Sequence, residues 1–355
     1  MVDNVWEVWW ARHKHFVAWV LGATLIVLMG IAYARHPVKP RASRPFGIIG
    51  FYENYSSGKG SPSSLSVLTG HVQQLTMVSP QWFRVNMDGS VTDTGYDPAV
   101  ANMARAHHVA LAPLFINASG RSQVLLNAAA RMHAVQTIVQ IVNRYHLDGV
   151  DIDFELLRPG ARTGLSLFIQ ELAAKLRPLH KTTGVCVFPL VGLAHSVNAA
   201  DDYRALAHGA DYLVMMTYDH HYSGGVPGPV APFDWVKANV KAALRQVPAS
   251  RIVLGIGMYG YDWIDNGKPG SATTVPDEAV PALLIRYGVQ AHYDPVNSQN
   301  WFTYFQGGVK HIVYYMGTRS AQARVEMARR YHLGGVSLWR LGFEDPGFWS
   351  VLPGK

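Results

Sequence analysis

Hydrophobic and polar positions along this 355-residue chain follow two alternating patterns. Short apolar runs recur from about position 46 onward, and between several of them apolar residues return every three or four positions, as on one face of a helix. The apolar runs predict strands at 46–53, 75–85, 109–117, 149–155, 184–190, 212–219, 252–261 and 335–341. Eight strand–helix steps in one domain predict an α/β fold, a (β/α)8 TIM barrel.

Two segments show the helical spacing most clearly. Their apolar positions are Met132, Val135, Ile138, Val139 and Val142 in the first, and Val236, Val240, Ala243, Leu244 and Val247 in the second. A third helix is predicted to begin with Ser320 as its N-cap and to run to Tyr331. The motif Tyr-His-Leu-x-Gly-Val occurs at 145–150 and again at 331–336, each time where a helix is expected to meet a strand.

The segment 264–310 interrupts this alternation. Its content of Gly, Pro, Asn and Tyr predicts a small insertion between strands seven and eight. Such an insertion would form one wall of a groove beside the barrel.

The N-terminal region differs from the rest of the chain. Residues 16–34 carry no charge, and as a helix they would span about 28 Å, close to the hydrocarbon thickness of a bilayer. We interpret 1–15 as a short tail, 16–34 as one transmembrane helix, 35–44 as a linker rich in Pro and basic residues, and 45–355 as the barrel domain with its insertion at about 264–310. A signal peptide cleaved after Ala34 is the alternative, because Ala32-Tyr33-Ala34 matches a small-x-small site.

The octapeptide Asp-Gly-Val-Asp-Ile-Asp-Phe-Glu at 148–155 carries the candidate chemistry. On a strand, Asp151, Asp153 and Glu155 share one face, whereas the apolar residues between them share the other. Mutual repulsion raises at least one carboxyl pKa, and a carboxyl that stays protonated near neutrality can act as a general acid. A hard-cation site and a solvated edge strand are the alternatives. A cation usually takes ligands from several directions, so we predict no metal and no cofactor.

The predicted ends of strands four, six and eight carry polar or aromatic residues. Glu155 ends strand four, Met216-Thr217-Tyr218-Asp219 ends strand six, and Trp339 lies near the end of strand eight. Active sites of such barrels lie at the carboxyl ends of the strands, so these residues are expected to converge. Further residues near strand ends are candidates for substrate contact, although Met216 also suits a barrel-filling role: Tyr52, Asn117, Met216 and Tyr259.

Charge and cysteine content narrow the partners only slightly. The net charge of +7 favours anionic surroundings, such as a phospholipid surface or an acidic cell-wall polymer. Basic runs are short, so nucleic acid is not expected as a partner. The single cysteine, Cys186, lies in an apolar run and is predicted to be a buried strand residue.

Three motifs together resemble glycoside hydrolase family 18, the chitinase-type barrels. They are Asp-Gly-x-Asp-x-Asp-x-Glu on strand four, Met-x-Tyr-Asp on strand six and the Trp on strand eight. The stretches 223–231 and 256–263 look most like bacterial cell-wall and spore-cortex members, which are peptidoglycan N-acetylglucosaminidases. The chain departs from many relatives at Tyr314-Tyr315-Met316-Gly317, where those relatives have acidic residues.

The resemblance implies substrate-assisted hydrolysis with retention. Glu155 would protonate the glycosidic oxygen while the N-acetyl carbonyl of the sugar attacks the anomeric carbon. Asp153 would orient the acetamido group, and Asp151 would share its proton. Tyr218 would donate to the acetamido carbonyl. The remaining implied sugar contacts are Asp219, which would help to place the sugar, and Trp339, which would form the floor under the ring.

Strand geometry is consistent with this chemistry. Side chains two positions apart on a strand start about 6.6 Å from each other, which is wide for a carboxylate nucleophile in a retaining enzyme. A nucleophile supplied by the sugar removes this difficulty. The resulting prediction is hydrolysis of β-1,4-linked N-acetylglucosamine in peptidoglycan by a membrane-anchored, extracytoplasmic domain. The alternatives are a chitinase or chito-oligosaccharide hydrolase, and a carbohydrate-binding barrel without catalysis.

Overall fold

The computed structural model describes residues 46–54, 64–117, 122–266, 268–270 and 272–353. Its strands are β1 (Gly47–Tyr52), β2 (Met77–Val85), β3 (Val91–Asp93), β4 (Ala110–Leu111), β5 (Leu114–Asn117), β6 (Gly149–Asp153), β7 (Thr182–Val187), β8 (Tyr212–Met215), β9 (Ile252–Gly257), β10 (Tyr259–Ile264), β11 (Thr273–Pro276), β12 (His292–Asp294), β13 (Gln299–Gln306), β14 (Val309–Tyr315) and β15 (Gly335–Trp339). Its α-helices are α1 (Ser64–His71), α2 (Pro98–Ala106), α3 (Gln123–Leu126), α4 (Ala128–Arg144), α5 (Arg162–Leu176), α6 (His195–Asn198), α7 (Tyr203–Gly209), α8 (Phe233–Leu244), α9 (Val280–Tyr287) and α10 (Gly317–Arg330).

Eight parallel strands close into a barrel, as the sequence predicted. Around the ring the order is β1, β2, β5, β6, β7, β8, β9 and β15, and β15 pairs with β1. The predicted third strand, 109–117, is divided into β4 and β5 by Pro113, which has no N–H for a ladder hydrogen bond. The predicted strands at 149–155 and 212–219 are too long, since β6 ends at Asp153 and β8 at Met215.

The predicted strand at 252–261 is wrong at its end. Barrel strand β9 stops at Gly257, and after Met258 the chain enters a second, antiparallel sheet with the order β11, β10, β14, β13, β12. This sheet extends from Tyr259 to Tyr315, so it is longer at both ends than the predicted insertion at 264–310. The continuous apolar run of β9 suits a strand buried on both faces, whereas the alternating Tyr259, Tyr261 and Trp263 suit a sheet covered differently on its two faces.

The core has one layer inside the barrel and one between the barrel and its helices. Strand β1 shows the alternation: Ile49 and Phe51 point inward, whereas Ile48 and Tyr52 belong to the outer layer. Tyr52, predicted as a sugar contact, is 3% exposed in that outer layer, so this prediction is wrong. Neighbouring strand residues point to opposite faces, and the inward residue is Phe51.

The helices largely follow the predicted apolar spacing. Val135, Ile138 and Val142 on α4 are buried, but Met132 is 54% exposed and therefore misassigned. The predicted N-cap at Ser320 is also wrong, because α10 begins at Gly317 and includes Ser320.

The repeated Tyr-His-Leu motif marks the same backbone geometry at two helix ends. His146 follows α4 and His332 follows α10, and each adopts a left-handed conformation with φ of 53°. The turn that this conformation produces directs the chain from the helix into the next barrel strand.

In the part of the chain that the structure describes, no helix is long and apolar enough to cross a membrane. The predicted transmembrane helix at 16–34, its tail at 1–15 and its linker at 35–44 lie outside the described residues and stay predictions.

Candidate active site

Strand β6 places two carboxyls inside the barrel. Asp151 is completely buried and Asp153 is 7% exposed, whereas Val150 and Ile152 pack in the outer layer. Glu155 lies two residues beyond the end of the strand and is partly exposed. The alternation predicted from the octapeptide is therefore present in the structure.

A cavity of about 230 Å³ opens at the carboxyl end of the barrel. Strands or strand ends one, four, five, six and eight contribute its lining residues, which are Phe51, Asp153, Glu155, Cys186, Met216, Tyr218, Asp219 and Trp339. The structure thus brings six predicted site residues together on one pocket. The other four, Asp151, Tyr52, Asn117 and Tyr259, do not line it.

The two inward aspartates have strongly perturbed acidities. Burial raises the pKa of Asp151 to about 6, although the hydroxyl of Tyr212, which donates to Asp151, and the nearby hydroxyl of Ser79 oppose the shift. Burial, together with the charges of Glu155 and Asp151, raises the pKa of Asp153 well above its ordinary value. These surroundings therefore favour the protonated form of Asp153.

Glu155 is held through its backbone. Its N–H donates to Asn117 Oδ1 at 2.9 Å, and Asn117 Nδ2 donates to the Glu155 carbonyl oxygen at 3.0 Å. Burial raises the pKa of Glu155, and the charge of Asp219 raises it further. Asn117, predicted as a sugar contact, instead fixes the loop that presents this acid.

Strand six contributes a phenol and a carboxylate. Tyr218 is deeply placed, and burial raises its pKa well above the ordinary value, so its hydroxyl stays a proton donor. Asp219 adopts a left-handed conformation, with φ of 59°, and its Oδ1 accepts from Tyr259 at 2.6 Å and Tyr261 at 2.9 Å. Tyr259 therefore lies behind Asp219 and orients it, away from the pocket lining where it was predicted.

Sequence reasoning missed four residues around the pocket. Phe51 makes an edge contact with Trp339, their ring centroids lying 5.5 Å apart. Cys186 is buried as predicted, but it also lines the pocket and lowers the pKa of Asp153. Inward alternation along β1 and β7 could have identified both. Tyr212, which donates to Asp151, and Asp201, whose charge raises the pKa of Asp153, gave no such indication, because their positions depend on strand register and on a loop.

The acidic residues do not form a metal centre in the described part of the chain. No group of three or more His, Cys, Asp or Glu side chains there is arranged to hold a metal ion. The arrangement offers instead a partly exposed acid, a protonated neighbour, a phenol donor and an aromatic floor in one pocket, which suits acid-catalysed cleavage of a polar substrate.

The known proteins that this chain resembles include cortex-lytic enzymes and chitinases. A cortical fragment-lytic enzyme of Bacillus anthracis is 27% identical over 290 residues, covering 78% of this chain and 67% of the relative. A chitinase structure from Chromobacterium violaceum has a TM-score of 0.80 at 29% identity, covering 87% of this chain and 98% of that chain. The spore cortex-lytic enzyme SleL of Bacillus megaterium has a TM-score of 0.79 at 26% identity, covering 89% and 75%.

The family comparison spans the whole barrel. Residues 47–344 match the family model described as Glycosyl hydrolases family 18, from β1 to just beyond the last barrel strand. The chain therefore belongs to glycosyl hydrolases family 18 and is a glycoside hydrolase, as its motifs predicted.

Proposed function

We propose that this enzyme hydrolyses β-1,4 bonds of N-acetylglucosamine in peptidoglycan, with retention and with the sugar's own N-acetyl group as nucleophile. The observation that carries the proposal is the convergence of Asp153, Glu155 and Tyr218 on one pocket that Trp339 also lines. Each of these three polar groups has a raised pKa, so each favours its protonated form.

Glu155 supplies the proton to the leaving oxygen. Glu155 lines the pocket and is partly exposed to solvent, so it can exchange its proton between turnovers. Its raised pKa keeps it protonated further toward neutral pH than an ordinary glutamic acid, and a general acid requires this.

The sugar supplies the nucleophile because the other pocket carboxyls suit that role poorly. Asp153 is held protonated by its surroundings, and Asp219 already accepts two tyrosine hydroxyls. The acetamido carbonyl oxygen attacks the anomeric carbon as the glycosidic bond breaks, forming an oxazolinium ion. Water then opens that ion at the same carbon, with Glu155 accepting its proton.

Asp153 and Tyr218 orient the acetamido group. In the proposed cycle Asp153 passes its proton to Asp151 and, as a carboxylate, accepts the acetamido N–H. Tyr218 donates its hydroxyl to the acetamido oxygen. Trp339, in edge contact with Phe51, provides the apolar surface on which the sugar ring rests.

The relatives support peptidoglycan as the polymer. The Bacillus anthracis relative is named as a cortical fragment-lytic enzyme, and the SleL structure is a spore cortex-lytic enzyme. The net charge of +7 also suits an anionic wall polymer.

Chitin is the second candidate, and a specific likeness supports it. The Chromobacterium violaceum chitinase has a TM-score of 0.80 and is covered over nearly its whole length. Chitin and peptidoglycan both contain the N-acetylglucosamine residue that the proposed mechanism requires.

Product analysis tests the proposal. The purified enzyme is incubated with peptidoglycan and, in parallel, with chitin oligomers, and the new reducing-end sugars are identified by mass spectrometry after borohydride reduction. We expect N-acetylglucosamine at the new reducing ends of peptidoglycan fragments. Activity restricted to chitin oligomers would replace the proposed polymer, and cleavage of glucans that lack the acetamido group would contradict the mechanism.

A further inference from the structure

Three residues meet side by side across adjacent strands inside the barrel. Asp151 on β6 is in register with Gly184 on β7, and Gly184 is in register with Tyr212 on β8. Residues in register on neighbouring parallel strands point to the same side of the sheet, and here that side is the barrel interior. Asp151 and Tyr212 therefore face one another across a glycine.

The glycine permits a contact that any other residue would block. The Tyr212 hydroxyl donates to Asp151 Oδ1 at 2.5 Å. A Cβ atom at Gly184 would lie 1.9 Å from that same oxygen and 2.4 Å from the Tyr212 ring. Glycine inside a buried strand carries a conformational cost, and close approach of neighbouring groups is a recognised reason for it.

The contact determines which oxygen of Asp151 can carry a proton. Because Tyr212 donates to Oδ1, that oxygen is an acceptor, and a proton on Asp151 belongs on Oδ2. Asp151 Oδ2 and Asp153 Oδ1 are both buried and lack a hydrogen-bond partner among the described residues. A proton exchanged between these two carboxyls would use the polar atoms that the surrounding protein leaves unpaired.

We propose that Tyr212 is a positioning residue that holds Asp151 in the geometry needed to take the proton of Asp153. Its close approach to Asp151 requires a glycine at position 184. The inference rests on the proposed function, because proton exchange between these aspartates matters only if Asp153 works as a carboxylate on the substrate. Tyr212 does not line the pocket and acts through Asp151.

Other groups around Asp151 set the direction of the expected pH effect. Ser79 on β2 lowers the pKa of Asp151, but less than Tyr212 does. Asp151 in turn raises the pKa of Asp153 on its own strand and of Cys186 on β7. Tyr212 therefore stabilises the negative charge of the aspartate pair, and without its hydroxyl the first ionisation of that pair requires a higher pH.

The substitution Tyr212→Phe tests the proposal because it removes one oxygen and keeps the ring. We expect the acid limb of the kcat profile to move up by about one pH unit. We also expect kcat at the optimum to fall about tenfold and KM to stay within about twofold, since no pocket contact changes. A purely structural tyrosine would lower thermal stability without moving the acid limb.

Two further variants calibrate the result. Ser79→Ala should move the acid limb in the same direction by a smaller amount. Gly184→Ala, which keeps both polar groups but forces them apart, should resemble Tyr212→Phe if it folds. An acid limb and a kcat unchanged in folded Tyr212→Phe would overturn the proposal.

The same comparison works without a substrate. Titration of the aspartate carboxyls by carbon-13 NMR, in the wild type and in Tyr212→Phe, reports the ionisation of the pair directly, and identical titration curves would overturn the proposal. A wild type that cleaves no N-acetylglucosamine polymer would refute the proposed function instead, so the two failures are distinguishable.

Discussion

At the scale of single residues, the carboxyls around the pocket differ in their surroundings rather than in their chemistry. Asp151 accepts from Tyr212, and Asp153 is surrounded by other acids. Asp219 accepts from two tyrosines, whereas Glu155 reaches the pocket surface. Burial and neighbouring charge thus give carboxyls of similar intrinsic pKa different acidities, and the roles that we propose for them as donor, guide and fixed acceptor follow these differences.

Replacing the proposed donor tests this separation. Glu155→Gln keeps the size of the side chain but removes the transferable proton, so kcat should fall by about 10²–10⁴-fold. Substrate binding, measured by calorimetry with an N-acetylglucosamine oligomer, should be retained.

The matched control for this variant is Glu171→Gln. Glu171 forms an ion pair with Arg131 between helices α5 and α4, at 2.8 Å and partly exposed to solvent. The same chemical change there should leave kcat unaltered and reduce stability by about 1 kcal/mol or less. If Glu155→Gln turns over as fast as this control, Glu155 is not the donor.

At the scale of the elements, strand ends decide which side chains reach the pocket. Strand β6 ends at Asp153, and the chain then turns through Leu156, which has a left-handed φ of 52°. Glu155 therefore sits on an irregular segment, and the side chain of Asn117 from the end of β5 bonds both its N–H and its carbonyl oxygen. The neighbouring strand therefore holds the segment that carries Glu155 in place.

Loss of the two hydrogen bonds between Asn117 and the Glu155 backbone, which we call the Asn117 clamp, should reduce catalysis more than binding. In Asn117→Ala the backbone polar groups of Glu155 lose their partners, which costs about 1–3 kcal/mol and frees the donor to move. We expect kcat to fall at least about tenfold, with KM changed less. Steady-state kinetics and thermal unfolding measure the two effects.

Asn127→Ala provides the comparison. Asn127 caps α4 by accepting from Ala129 and Ala130 N–H, so its loss should cost about 1 kcal/mol of stability and leave kcat unchanged. Equal kinetics for the two asparagine variants would show that the clamp does not serve catalysis.

At the scale of the whole molecule, the second sheet places aromatic rings beside the residues that line the pocket. Tyr259, Tyr261 and Trp263 of β10 form a cluster that also contacts Tyr218 and Trp339. On the same face of the sheet Tyr314 stacks against Trp301, with ring centroids 6.4 Å apart, and both rings are partly exposed. These five rings give the second sheet an aromatic face, which we call the aromatic wall.

We expect this aromatic wall to contact long substrates. Trp301→Ala should raise KM for a hexasaccharide or for the polymer several-fold, while kinetics on a short chromogenic substrate stay unchanged. Phe305→Ala is the control, since Phe305 is 66% exposed on the same strand, close to its turn with β14. An equal rise in KM on short and long substrates would show instead that Trp301 supports the structure of the pocket and does not contact the longer substrates.

The sequence by itself determined the barrel, the inward face of β6 and the convergence of strands four, six and eight. Hydrophobic periodicity is local, so a single strand reveals which residues share a face. The sequence also indicated an insertion at 264–310, close to the position of the second sheet, because that segment interrupts the strand–helix alternation.

Only the tertiary structure decided which strand-end residues reach the pocket and which support it. Tyr52 points outward, whereas Phe51 lines the pocket. Asn117 and Tyr259 do not line it but hydrogen-bond Glu155 and Asp219, which do. The contact of Tyr212 with Asp151 across Gly184 joins residues 61 positions apart and depends on the register of three consecutive strands. Register and strand ends follow from barrel closure and long-range packing, which no local pattern contains.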